Sequence, residues 1–190
     1  MKAYLDSGIF IDYLIDRGHA GPYLRSSDRR GRSPSQLGSD AEACLARLAA
    51  DHQALTSSLT YYEVEEAMYG ELKRSASGVP DGARYLVPAA RAVLTQTLMT
   101  IEAFGIELVE LTQEVVLTQC RDIALQMRGV RAADALHVTT ALLHDADLLL
   151  SADADILRLD GDLKTSTGKA LRCLDTDAGI GLLGGCHQSD

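Results

Sequence analysis

Two periods alternate along this chain. Short runs rich in apolar residues, bounded by polar ones, recur at residues 2–6, 54–59 and 147–151, and residues 106–111 alternate in the manner of a strand. A weaker run at 171–174 predicts a fifth strand at an edge. Between the runs, apolar residues repeat at helical spacing. A short helix is expected through Ile9 to Leu14, and another from Ser39, where Ser39-Asp40-Ala41-Glu42 has the capping-box form. Thr60-Tyr61-Tyr62-Glu63 has the same form and opens a helix through Val64, Ala67, Met68 and Leu72. Further helices are expected at about 84–104, from a Thr112 cap to near Gly129, and over 132–144 with Ala135, Val138 and Leu142 on one face.

The pattern fails at 17–38, where glycine, proline, serine and arginine mix; a loop that long usually carries function or mobility. A second loop is expected at 75–82. The alternation of strands with helices predicts an α/β fold, a mostly parallel sheet of four to five strands with helices on both faces. Leu148-Leu149-Leu150 is apolar throughout, as a parallel strand buried on both faces should be. One domain is expected over residues 1–178, with a basic loop insertion at about 17–38 and a flexible Gly-rich tail at 179–190.

Against this framework the acidic residues stand out. Asp6 closes the first run, Glu63 follows the second, Asp134 opens an apolar helical stretch, and Asp153 follows the leucine run. In an open parallel sheet such positions gather outside the carboxyl ends of the strands. Carboxylates gathered there repel one another and stay ionised together only around a shared cation. Oxygen donors suit a hard divalent ion, so Mg²⁺ or Mn²⁺ is expected. Each acid also has a plainer reading. Asp6 and Asp153 can cap helices, Glu63 can return the capping-box hydrogen bond to Thr60, and Asp134 can complement a helix dipole. Asp155 is a candidate supporting or additional group. Two facing carboxylates could serve acid–base work on a glycoside, whereas four favour a metal ion set against a phosphodiester.

Other chemistry is thinly represented. No phosphate-cradling glycine loop and no nucleophile elbow occur, and the five histidines lack zinc-type spacing. His137, one turn beyond Asp134, reads first as a partly buried helix residue. The 190 residues and 46% hydrophobic content suffice for one core. A net charge of −9 argues mildly against a non-specific nucleic-acid binder, although Arg17, Arg25, Arg29, Arg30 and Arg32 crowd one segment. Cys44, Cys120, Cys173 and Cys186 show no paired spacing and are expected as reduced thiols in a cytoplasmic protein, the first two on apolar helix faces. No stretch of about 18 apolar residues exists to span a membrane.

Four segments resemble the acidic motifs of PIN-domain nucleases, in the right order over about residues 1–157. They are Tyr4-Leu5-Asp6-Ser7-Gly8-Ile9-Phe10-Ile11-Asp12, Leu59-Thr60-Tyr61-Tyr62-Glu63, Ala133-Asp134-Ala135-Leu136-His137 and Leu150-Ser151-Ala152-Asp153. Within that family they are most similar to the VapC-type toxins of toxin–antitoxin pairs. The resemblance implies a three-layer α/β/α sandwich, Mg²⁺- or Mn²⁺-dependent cleavage of RNA, and Asp6, Glu63, Asp134 and Asp153 as metal ligands and catalytic groups. It implies that Ser7 and Ser151 help orient ligands or water. It also implies a homodimer, and a small antitoxin whose tail reaches into the acidic pocket.

The chain departs from the family in its longer, more basic 17–38 segment and in its more acidic overall charge. Arg25, Arg29, Arg30 and Arg32 are therefore expected to contact RNA phosphates, or simply to line a solvated loop. Two rival readings stand beside the nuclease: an RNA- or partner-binding module that does not cut, and a metal-dependent phosphatase. A non-toxin role in RNA processing is a further alternative.

Overall fold

The computed structural model describes residues 1–16, 29–75 and 82–185. Its centre is a five-stranded sheet in the order β3-β2-β1-β4-β5, every pairing parallel. The strands are β1 (Lys2–Leu5), β2 (Gln53–Ser57), β3 (Glu107–Val109), β4 (Leu148–Leu150) and β5 (Arg172–Leu174). Each expected strand is present, and the weak fifth run lies at an edge. The chain runs outward from β1 through β2 to β3, then crosses to the other side of β1 for β4 and β5. The carboxyl ends of β1 and β4 therefore flank the switch point, where such sheets open a crevice.

Strand residues alternate between two cores, one on each face. Ala3, Leu5, Ala54, Leu148 and Leu150 face a core shared with α1 (Ser7–Asp16), α2 (Pro34–Asp51), α3 (Leu59–Ser75), α4 (Gly82–Ala103) and α9 (Thr176–Gly185). Tyr4, Leu55 and Leu149 point to the opposite core, built with α6 (Ile123–Met127), α7 (Ala132–Leu143) and α8 (Ala154–Leu157). Helices thus cover both faces, the α/β/α arrangement that was expected.

Several boundaries differ from the expectation, each for a local reason. Helix α2 begins at Pro34, not at Ser39. Ser33 is its N-cap, its hydroxyl and the Gln36 side chain forming a reciprocal capping box, and Pro34 sits where its missing N–H is harmless. Thr60 lies inside α3, its hydroxyl bonded to that of Thr56 at 2.7 Å, so the Thr60–Glu63 box does not form and Glu63 is free for other work. Thr112 does cap a helix, α5 (Gln113–Arg121), but this stops at Asp122, which caps α6 in turn.

Residues 179–185, expected as a loose tail, belong to helix α9, whose apolar side packs on α2. A Cβ at Gly179 would come within 2.5 Å of Leu150, so the glycine there permits close helix–sheet contact. Residues 186–190, with Cys186, lie outside the described residues. Cys44 is buried as expected, whereas Cys120 is exposed. Among the described residues no helix is long and apolar enough to cross a membrane.

Candidate metal centre

The crevice at the switch point is a cleft of about 200 Å³ lined by Asp6, Ser7, Gly8, Ile11, Asp134, Ala152 and Asp153. Three different elements deliver its acids. Asp6 is the first residue after β1, and its amide extends the ladder by donating to the Leu150 carbonyl at 3.0 Å. Asp153 follows β4 and caps α8, its Oδ1 accepting from the Asp155 amide at 2.7 Å. Asp134 lies in the first turn of α7. The capping reading of Asp153 holds, and it leaves the residue at the cleft, since one oxygen caps while Oδ2 faces Arg131.

Gly8 is required by the close approach of two turns. A Cβ there would lie 2.9 Å from the Ala152 Cβ and 3.5 Å from Asp6 Oδ2, in the wall of the cleft.

Asp6 is buried and held at both oxygens. The Ser7 hydroxyl donates to Oδ1 at 3.2 Å, and the Ser151 hydroxyl to Oδ2 at 2.6 Å. Ser151 also accepts from the Asp153 amide at 3.0 Å, so one hydroxyl spaces the two acids. Both serines thus hold the carboxylate of Asp6 in place.

Glu63 reaches the same region from α3. Its Oε2 lies 2.6 Å from His137 Nε2, and that nitrogen is 3.4 Å from Asp6 Oδ1. On its other side the His137 ring shares a 2.7 Å hydrogen bond with the Tyr4 hydroxyl, through Nδ1. His137 is 0% exposed and locked between a strand residue and two acids. It is the site residue that spacing undervalued. The available signal was its position one helical turn beyond Asp134, on the same face.

The electrostatics join these groups into one field. Burial tends to suppress the His137 cation, but the Asp6 charge and the hydrogen bond and charge of Glu63 outweigh it and raise its pKa. Burial likewise opposes ionisation of Glu63, yet hydrogen bonds from His137 and Ser7 with the His137 charge hold its carboxyl below the usual range. Asp134 goes the other way. Burial and the charges of Asp153, Asp6 and Glu63 raise its pKa, only partly offset by Arg131.

Donor atoms fall into two neighbouring sets, Asp6–Glu63–His137 and Asp134–Asp153–Asp155, each with its atoms within 4.8 Å of one another. The donor set fits a hard divalent ion. It is dominated by carboxylate oxygens, and Asp134, half-buried beside Asp153, Asp6 and Glu63, has only Arg131 to offset the cost of its charge. Asp155 offers a donor atom beside those of Asp134 and Asp153, and it also pairs with Arg158.

The arginines expected at RNA are partly reassigned. Arg29 Nη2 lies 2.6 Å from Asp12 and 3.3 Å from Asp175, while Arg32 pairs with Asp40 at 2.7 Å and with Asp175. Arg30 and Gly31, with φ of 54° and 73°, form a tight turn that sets Arg29 against Arg32 across an antiparallel bridge. Both arginines turn inward because the buried carboxylates of Asp12 and Asp175 need cations. They are not free for phosphate. Arg30 is exposed, and Arg25 lies outside the described residues.

Comparison with known proteins adds one finding. Residues 38–162 match the family model of the PIN domain. The matched span contains Glu63, Asp134 and Asp153; Asp6 precedes it, and the fold brings it into the same cleft. No curated protein and no solved structure matches the chain.

Proposed function

The chain belongs to the PIN-domain family, and from that premise we propose that it is a metal-dependent endoribonuclease acting with Mg²⁺ or Mn²⁺, the toxin of a type II toxin–antitoxin pair. The observation that carries the reading is the convergence of Asp6, Asp134 and Asp153 on one cleft, with Glu63 contributing to its field. These four acids would hold one or two ions.

When bound, a divalent ion polarises the scissile phosphate, activates a water and stabilises the leaving oxygen. The chain's own residues supply position. Ser7 and Ser151 fix the two oxygens of Asp6, His137 fixes Glu63, and the Asp155 amide fixes Asp153. Tyr4 sets the His137 ring, and its phenol stays protonated because burial lifts its pKa far above the ordinary value. Such preorganisation matters because the carboxylates need no rearrangement to receive a cation. The exposed Arg30 is a candidate contact for the RNA backbone.

RNA as substrate, the small antitoxin, the homodimer and the cytoplasmic setting rest on the likeness of the four motifs to VapC-type toxins. The test is cleavage of a mixed RNA pool by purified protein with Mg²⁺, with Mn²⁺ and with chelator, beside Asp6→Asn. Metal-dependent fragments that the variant does not make are expected. An intact pool in the presence of folded, Mn²⁺-loaded protein would contradict broad RNA cleavage and favour a binding module.

A further inference from the structure

Arg131 holds the N-cap position of α7, with φ −70° and ψ 160°, and its side chain makes no capping bond. A guanidinium is a poor occupant there. It offers no acceptor to the free amides of the first turn, and its charge opposes the positive end of the helix dipole. The side chain instead leaves the helix and bridges the cleft acids. Its Nε lies 3.2 Å from Asp134 Oδ2, and its Nη2 lies 3.0 Å from Asp153 Oδ2. It joins two carboxylates that come from different elements, α7 and the β4–α8 turn, and it remains 70% exposed.

We propose that Arg131 is a built-in counter-cation of the Asp134–Asp153 pair, which a divalent ion must displace, and whose released guanidinium then binds a phosphate of the RNA across the cleft. The inference rests on the metal-dependent ribonuclease reading. Ion pairs this exposed are weak, so a divalent ion displaces the side chain readily and Arg131 tunes metal affinity without abolishing it. Once displaced, the guanidinium stays tethered at the cleft mouth with its planar fork of N–H donors free, a geometry matched to phosphate oxygens. The same residue thus lowers metal affinity and raises RNA affinity.

Those opposite signs give the test. Arg131→Ala and Arg131→Gln are compared with the parent and with Arg128→Ala, a control of equal charge change whose partner is Asp162. Free Mn²⁺ is followed by electron paramagnetic resonance, and binding of a fluorescein-labelled oligouridylate by anisotropy in Ca²⁺. Removing Arg131 is expected to tighten Mn²⁺ binding by about three- to tenfold. It is expected to weaken RNA binding by a similar factor and to make its salt dependence shallower by about 0.7 in logarithmic slope. The control should shift neither by more than about twofold, as for an exposed pair. A purely structural Arg131 would not move the two affinities in opposite directions. Mn²⁺ affinity unchanged or weakened in both Arg131 variants, or RNA affinity unchanged, would overturn the inference alone. A parent protein that takes up no Mn²⁺ would instead overturn the metal reading and the inference with it.

Discussion

Two clusters of carboxylates in this molecule solve the problem of buried negative charge differently. Asp12 and Asp175, 1% and 0% exposed at their side chains, are met by Arg29 and Arg32 from the neighbouring turn. The cleft acids Asp6, Asp134 and Asp153, with Glu63 beside them, find cationic partners, among the described residues, only in Arg131 and the titratable His137. In the first cluster each buried carboxylate is balanced by a guanidinium, with the more exposed Asp40 and Asp177 also beside Arg32. In the second, the acids outnumber the cations beside them, and burial, together with the charges of Asp153, Asp6 and Glu63, raises the pKa of Asp134. Acids that outnumber their cations in an open cleft are what an external cation would bind under the proposed function.

The largest effect is expected in the cleft. Asp6→Asn or Asp134→Asn should lower the rate of RNA cleavage by about 10²–10⁴-fold, since the ion contributes several kcal/mol to the transition state. Circular dichroism should show both variants folded. The balanced cluster should respond in stability instead. Asp175→Ala removes the buried carboxylate shared by Arg29 and Arg32, which keep Asp12 and Asp40 as partners, and should cost about 1.5–3 kcal/mol, read from the shift in urea midpoint.

Saturating metal separates the clusters further. Mn²⁺ at about 100 times its Kd should add about 2.7 kcal/mol to the parent, or about 5–10 °C in Tm for a chain of this size. Asp134→Asn should show much less of this rise.

The smallest effect concerns pH without metal. The folded pKa of Asp134 lies above its unfolded value, so its contribution favours the fold at low pH and is lost as pH rises through that raised pKa. Glu63 is the opposite case; its contribution is present above the ordinary carboxylate range and is lost as pH falls through its lowered pKa. Metal-free Asp134→Asn should therefore melt about 1–3 °C above the parent at neutral pH. The difference should vanish on the acid side of the aspartate range, as differential scanning fluorimetry across pH would show.

Much of the fold was legible because buried parallel strands write themselves as short apolar runs, Leu148-Leu149-Leu150 above all. The four acids were legible for a related reason, as polar residues stand out where such a run ends. Helix α9 was not, because Gly179, Gly181, Gly184 and Gly185 argue against a helix locally while packing on α2 decides for one. Pro34 was read as a breaker although at the first helical position it is compatible with a helix. Arg29 and Arg32 were expected at RNA phosphates or in a solvated loop because their partner Asp175 lies more than 140 positions away in sequence. His137 illustrates the same limit. Its burial was foreseen, but its bond to Glu63 depends on how α3 and α7 straddle β1, which no local pattern encodes.

The central claim is that the unbalanced cleft is a divalent-cation site. Its most direct test is a titration of free Mn²⁺, followed by electron paramagnetic resonance, with the parent, Asp134→Asn and Asp175→Asn side by side. The account predicts saturable binding by the parent, binding lost or greatly weakened in Asp134→Asn, and binding retained by folded Asp175→Asn. No saturable uptake by the parent, or equal affinity in Asp134→Asn, would contradict it.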